Sequence, residues 1–150
     1  MALKKITKAL DLEKAVHFLG YRDNPYQYLS RADIYVLSSE TEGLPNIIIE
    51  SMVCGTPVIS SDCISGPREI LYPTSDLNIS LKNKIEKGTY GILYPVGEVE
   101  LLKESINLLL ENKDLCNEFI RKGYERIEEF DDFKITQKYI ETFSVALEKS

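Results

Sequence analysis

Two carboxylates, Glu42 and Glu50, carry the clearest chemical potential in this chain. Glu42 lies in the polar stretch Ser38-Ser39-Glu40-Thr41-Glu42-Gly43-Leu44-Pro45-Asn46, and Glu50 follows with seven residues between the two acids. Gly43 permits a close backbone approach. Pro45 suits the first position of a helix, where its missing N–H leaves no bond unmade. A loop running into such a helix start presents unpartnered N–H groups and the positive end of the helix dipole, a pairing suited to phosphate. At about 1.5 Å of rise per residue, Glu50 stands more than one turn beyond Pro45. A carboxylate would repel a neighbouring phosphate, so both acids are better suited to accept hydrogen bonds from sugar hydroxyls. A phosphate cradle flanked by two hydroxyl acceptors describes a nucleotide sugar. Spacing alone leaves equally open that Glu42 is a solvated loop residue and Glu50 a surface helix residue.

The elements around this loop read as alternating strands and helices. Ile34-Tyr35-Val36-Leu37 is a buried strand leading into it, and Gly55 and Pro57 stop the helix that leaves it. Val58-Ile59-Ser60 forms the next strand, followed by a loop with Asp62 and Ser65 and a short helix opened by Gly66-Pro67. In doubly wound folds ligands gather at the C-terminal ends of parallel strands, so Ser38, Glu42, Asp62 and Ser65 are expected to line one crevice. Upstream, Ala2 to Lys14 reads as an amphipathic helix and Ala15 to Leu19 as a strand. Asn24-Pro25 opens a short helix. Tyr72 to Thr89 is a long polar stretch, expected to be mobile, with a helical turn or two over Lys82 to Lys87. Gly91 to Pro95 is the last strand. Three helices follow: one over Val99 to Leu110, one capped by Asp114 through about Glu128, and one capped by Asp131 or Asp132.

Composition narrows the classes. A chain of 150 residues with net charge −6 has room for one domain with a core, and it carries no basic stripe for nucleic acid. Cys54, Cys63 and Cys116 have no metal-ligand spacing and read as reduced thiols of a cytoplasmic protein. No signal peptide or membrane-length apolar run is present. Lys4, Lys5 and Lys8 on the first helix could touch the inner face of a membrane, although a solvated helix face is the simpler reading. His17 is the single histidine, and no catalytic triad can be built with it.

Several ordered blocks then match one family. Glu42-Gly43-Leu44-Pro45 with Glu50, Gly55-Thr56-Pro57-Val58-Ile59-Ser60-Ser61-Asp62 and Gly66-Pro67-Arg68-Glu69-Ile70 resemble the retaining glycosyltransferases of the "glycosyl transferases group 1" type. Val16-His17-Phe18-Leu19-Gly20-Tyr21 and Ala32-Asp33-Ile34-Tyr35-Val36-Leu37-Ser38 match the same family. The resemblance implies an α/β fold: a Rossmann-like parallel sheet flanked by helices, residues 1–150 forming part of the C-terminal, nucleotide-sugar-binding domain of a GT-B enzyme. It implies a transferase that moves a hexose-type sugar from a nucleoside diphosphate donor to a glycan, lipid or polysaccharide acceptor, a step of glycan biosynthesis. UDP-sugar is favoured and GDP-sugar is the other candidate. Glu42 would contact the donor sugar or its phosphate side. Main-chain N–H groups near Gly43, Leu44 and Asn46 would hold the diphosphate, Glu50 would bind the ribose, and Ser38 would line the same donor site. Gly20, Tyr21 and Arg22 would lie near the base. No Asp-x-Asp motif appears in the site region, so no essential metal is expected. Ser65-Gly66-Pro67 replaces the family's more usual pair of glycines and leaves the donor sugar more open.

The same resemblance implies what the chain does not carry. Two strands that usually open this domain, with an Arg and a Lys that neutralise the leaving diphosphate, have no counterpart before Val16. Nor has the acceptor-binding N-terminal domain. The two strands would normally lie between Ala15–Leu19 and Ile34–Leu37. Without them Ile34–Leu37 becomes a raw sheet edge. Two outcomes are expected: Ala15–Leu19 moves over to pair with that edge, or two chains associate there. A non-catalytic regulatory or interaction domain that keeps the fold is the alternative to a donor-binding part of an enzyme.

Overall fold

A computed structural model describes residues 2–148. These residues form a sheet in the order β1-β2-β4-β3, with β1 at Tyr35–Leu37, β2 at Val58–Ser61, β3 at Glu86–Lys87 and β4 at Ile92–Tyr94. The first three in that order run parallel: Val36 stands beside Ile59, and Ile59 beside Ile92. The short β3 pairs antiparallel with β4.

Successive strand side chains point to opposite faces, and helices cover both. Leu37, Val58 and Leu93 face α3 (Asn46–Val53) and α4 (Pro67–Leu71), joining Ile48, Met52, Ile70 and Leu71 in one buried cluster. Ile59, Ile92 and Tyr94 point the other way, toward Leu109 of α5 (Val99–Glu111) and Phe119 of α6 (Lys113–Ile127). Burial on both faces is why Val58-Ile59 and Ile92-Leu93 show no polar alternation. Each fully buried Leu or Ile here contributes about 1.5–3 kcal/mol.

Helix α6 also ties the two ends of the body together. Arg126 is buried, and its Nε donates to the Ile70 carbonyl at 3.2 Å while Nη2 donates to the Glu69 carbonyl at 2.8 Å. Its guanidinium lies 4.8 Å from the Phe130 ring centre and 5.5 Å from that of Tyr90. The last carbonyls of the short α4 thereby find donors they lack within their own helix.

Several expectations need correction. Residues 15–19 do not form a strand, and Val16, Phe18 and Leu19 are exposed. A strand requires a neighbour for its N–H and C=O groups. Among the described residues nothing pairs with the outer side of β1, so Ala15–Leu19 has not moved over to it. Helix α1 is shorter than its periodicity indicates, Ala2–Ala9, because the chain turns through Asp11 at φ 54°. Glu86-Lys87 are strand rather than helical turn. Helix α6 is capped by Asn112, whose side chain accepts from the Leu115 N–H at 2.9 Å, and Asp114 sits in its first turn. The cap of α7 (Asp132–Glu148) is where it was expected: Asp131 Oδ1 accepts from the Lys134 N–H at 3.1 Å.

Candidate functional site

The site is made by two loops that leave neighbouring parallel strands and lock onto each other. The first runs from Ser38 to Pro45 between β1 and α3, the second from Asp62 to Gly66 between β2 and α4. Within the first, Ser39 Oγ donates to Glu42 Oε1 at 2.6 Å. Ser61 Oγ, at the end of β2, donates to the Ser39 carbonyl at 2.6 Å. Ser65 Oγ donates to the Glu42 carbonyl at 2.9 Å. Gly66 completes the seam: a Cβ there would lie 1.9 Å from the Gly43 carbonyl oxygen and 2.5 Å from Pro45 Cδ. Glu42 is thus held by its carboxylate, by its carbonyl and through the residue that follows it.

Tyr35 feels the charge of both acids. Its phenol, on the face of β1 that meets α3, is pushed above its ordinary value, by burial first and then by the negative charges of Glu42 and Glu50. The charges of the loop acid and of the helix acid thus both act on this phenol. Both carboxylates are half-buried, and among the described residues neither has a cationic partner. Two such groups are hydroxyl acceptors without a donor of their own beyond Ser39.

Helix α3 starts at Asn46, one residue later than the proline indicates, and Pro45 takes the capping position with no side-chain cap. Among the described residues the N–H groups of Gly43, Leu44 and Asn46 make no hydrogen bond, and all three residues are exposed. They are the donors available to an anion at this helix start.

The remaining expected site residues lie outside this hydrogen-bonded seam among the described residues. Ser38 is exposed and makes no hydrogen bond among the described residues; the neighbouring Ser39 does the holding. Gly20, Tyr21 and Arg22 are exposed, and no hydrogen bond or ion pair among the described residues links them to Glu42 or Glu50. Asp62 is buried rather than open to a crevice. Its Oδ1 accepts from Arg68 Nε at 2.9 Å, and its Oδ2 accepts from Arg68 Nη2 at 2.7 Å and from the Leu81 N–H at 2.7 Å. Asp62, Ser65 and Arg68 line a cavity of about 250 Å3 closed on the far side by Leu77 to Ser80. Burial pushes the Cys63 thiol there upward, and the Glu42 and Asp62 charges push the same way against a hydrogen bond to Ser61. Ser39, Ser61 and Tyr35 were not assigned roles from sequence. A signal existed for the serines: both Leu37-Ser38-Ser39 and Ile59-Ser60-Ser61 end a strand on a serine pair, and in each the second serine makes the contact.

A mainly parallel sheet covered on both faces, with polar loops at the C-terminal strand ends, is a Rossmann-like body of the kind found in GT-B glycosyltransferases. Residues 2–126 match the family described as Glycosyl transferases group 1, and the chain belongs to it. An uncharacterized glycosyltransferase of Methanocaldococcus jannaschii is 38% identical over 155 residues, covering 91% of this chain and 37% of that protein. A Campylobacter jejuni N-acetylgalactosamine-N,N'-diacetylbacillosaminyl-diphospho-undecaprenol 4-alpha-N-acetylgalactosaminyltransferase is 28% identical, covering 90% of this chain and 33% of that one. Among solved structures, Anabaena HepE in complex with UDP superposes with a TM-score of 0.75 at 27% identity, over 96% of this chain and 36% of that one. HepE has also been solved with UDP-glucose. The chain spans about a third of the length of these relatives.

Proposed function

We propose that this chain binds the nucleoside diphosphate sugar donor of a retaining glycosyltransferase. The observation that carries the reading is the pair Glu42 and Glu50: half-buried, without a cationic partner among the described residues, with Glu42 held by Ser39 and Ser65. Glu42 receives donor-sugar hydroxyls, the N–H groups of Gly43, Leu44 and Asn46 receive the diphosphate, Glu50 receives the ribose, and Gly20 to Arg22 lie toward the base. UDP is the first base to try, because HepE has been solved with UDP and UDP-glucose. Arg68 is already committed to Asp62 and Glu86. The cation that neutralises a departing diphosphate therefore has to come from beyond these loops, and transfer is the work of a longer assembly than this site. The acceptor is a glycan or lipid-linked sugar, in keeping with the undecaprenol-linked substrate in the name of the Campylobacter relative. No helix among the described residues is long and apolar enough to cross a membrane. Contact with an anionic membrane surface falls to α1, where Leu3 and Ile6 are exposed beside Lys4, Lys5 and Lys8. The open edge of β1 is the place where a second copy would add a strand.

The test is calorimetric titration of the chain with UDP, UDP-glucose and GDP. Binding of a uridine diphosphate, weakened about tenfold or more by Glu50→Ala, is the expected result. Glu42→Ala should weaken UDP-glucose more than UDP. Equal binding by wild type and Glu50→Ala, or none by wild type at millimolar ligand, would remove the donor-site reading.

A further inference from the structure

We propose that Arg68 is a positioning residue for Glu42, acting through the turn that joins β2 to α4; its consequence for donor binding rests on the functional reading above. Arg68 and Asp62 stand at the two ends of this turn and close it like a clasp, with two parallel N–H···O bonds of 2.9 and 2.7 Å and both side chains almost fully buried. Paired bonds of this type fix direction as well as distance. The remaining Arg68 nitrogen donates to Ser75 Oγ at 3.1 Å and lies 2.8 Å from Glu86 Oε2. The Glu86 contact is one of charge rather than of aligned hydrogen bonding, since that oxygen has no hydrogen-bond partner. Asp62 is anchored independently, its N–H donating to the Tyr94 carbonyl at 2.7 Å.

The clasp encloses a turn that would not hold its shape unaided. Ser65 and Gly66 are both in the left-handed region, at φ 60° and 62°. A serine there persists only where surrounding contacts over-determine it. This conformation is what directs Ser65 Oγ to the Glu42 carbonyl and lets Gly66 lie against Gly43. A chain of contacts thus runs from the guanidinium to the proposed donor-sugar acceptor without Arg68 touching the site.

Two variants open the clasp from opposite ends. Arg68→Lys keeps the buried positive charge but cannot give two parallel bonds to Asp62 and also reach Ser75 and Glu86. Asp62→Asn keeps the shape, leaves Arg68 compensated by Glu86, and covers the case in which Arg68→Lys does not fold. A third variant, Ser65→Ala, cuts the link to Glu42. Amide NMR spectra of the ligand-free chain and UDP titrations are recorded for each single variant and for the double variants. The clasp variants are expected to shift the amides of Thr41 to Gly43 while leaving those of α5 in place. They should weaken UDP about fivefold. In the Ser65→Ala background they should add little, because the path is already cut. Unmoved Thr41–Gly43 signals in a folded clasp variant, or effects that simply multiply with Ser65→Ala, would overturn the proposal. If the wild-type chain does not bind UDP, the donor reading falls, and the ligand-free spectra still decide whether Arg68 positions Glu42.

Discussion

Replacing Gly66 by alanine tests whether the two site loops work as one unit. The added Cβ meets the Gly43 carbonyl oxygen at 1.9 Å, whereas Cβ atoms essentially never approach within 3.0 Å. The Ser38–Pro45 and Asp62–Gly66 loops have to part by roughly 1 Å, and the atom to be displaced is backbone, which has no rotamer to yield. The φ of 62° adds a strain of about 1–2 kcal/mol for any residue with a Cβ. Gly97 separates these effects. It has φ 79° and nothing within 4 Å of its hypothetical Cβ, so Gly97→Ala carries positive-φ strain without the collision. Gly97→Ala should lower the melting temperature by about 2–8 °C, at roughly 2–4 °C per kcal/mol for a domain of this size. Its UDP affinity should stay at the wild-type level. Gly66→Ala should cost at least as much stability and should also weaken UDP by about tenfold or more, since displacements near 1 Å are large on the scale of a preorganised site. Thermal melts followed by circular dichroism and calorimetric titration measure both quantities. A Gly66→Ala chain that melts lower yet binds UDP as wild type does would refute the idea that the second loop sets the geometry of the first.

Two further predictions concern Arg126 and Tyr35. Arg126→Met keeps much of the packing of the side chain but leaves the Glu69 and Ile70 carbonyls without their donors, so melts should show a loss of about 2–4 kcal/mol; a change below about 0.5 kcal/mol would show that water replaces the guanidinium at no cost. Burial and the two acids raise the Tyr35 phenol above about 10, so its contribution to stability is complete below the unfolded value and is lost as pH rises through the folded one. The absorbance titration difference between wild type and Tyr35→Phe should therefore have a midpoint above 10, moving down in Glu50→Gln. An unmoved midpoint would place Glu50 away from Tyr35.

What could be read in advance depended on whether it was local. Val58-Ile59 and Ile92-Leu93 announced strands buried on both faces, and the helix over Val99 to Leu110 followed from its own period. The order Glu42-Gly43-Leu44-Pro45 with Glu50 marked the loop that carries the candidate acceptors. What escaped was set by partners distant in sequence. Ala15–Leu19 has the composition of a strand, yet pairing decides strands, and no edge among the described residues reaches it. Glu86-Lys87 joins the sheet only because β4 offers a free side. Asp62 looked like an open-site acid until Arg68, in the following helix, claimed both its oxygens. Ser61 and Ser39 bond across a separation of 22 residues, which no periodicity encodes.

The open edge of β1 and the candidate site meet at the same strand. Tyr35, on β1, has a phenol raised by burial and by the charges of both acids, and the loop bearing Glu42 leaves the C-terminal end of that strand. The buried body closes on the other side, through β2, β4 and their helices, so stability and site geometry are secured from there. Toward β1 the strand's outer hydrogen-bonding groups remain free among the described residues. A strand added at that edge would pair with β1 and so lie beside the strand that carries Tyr35 and leads into the Glu42 loop.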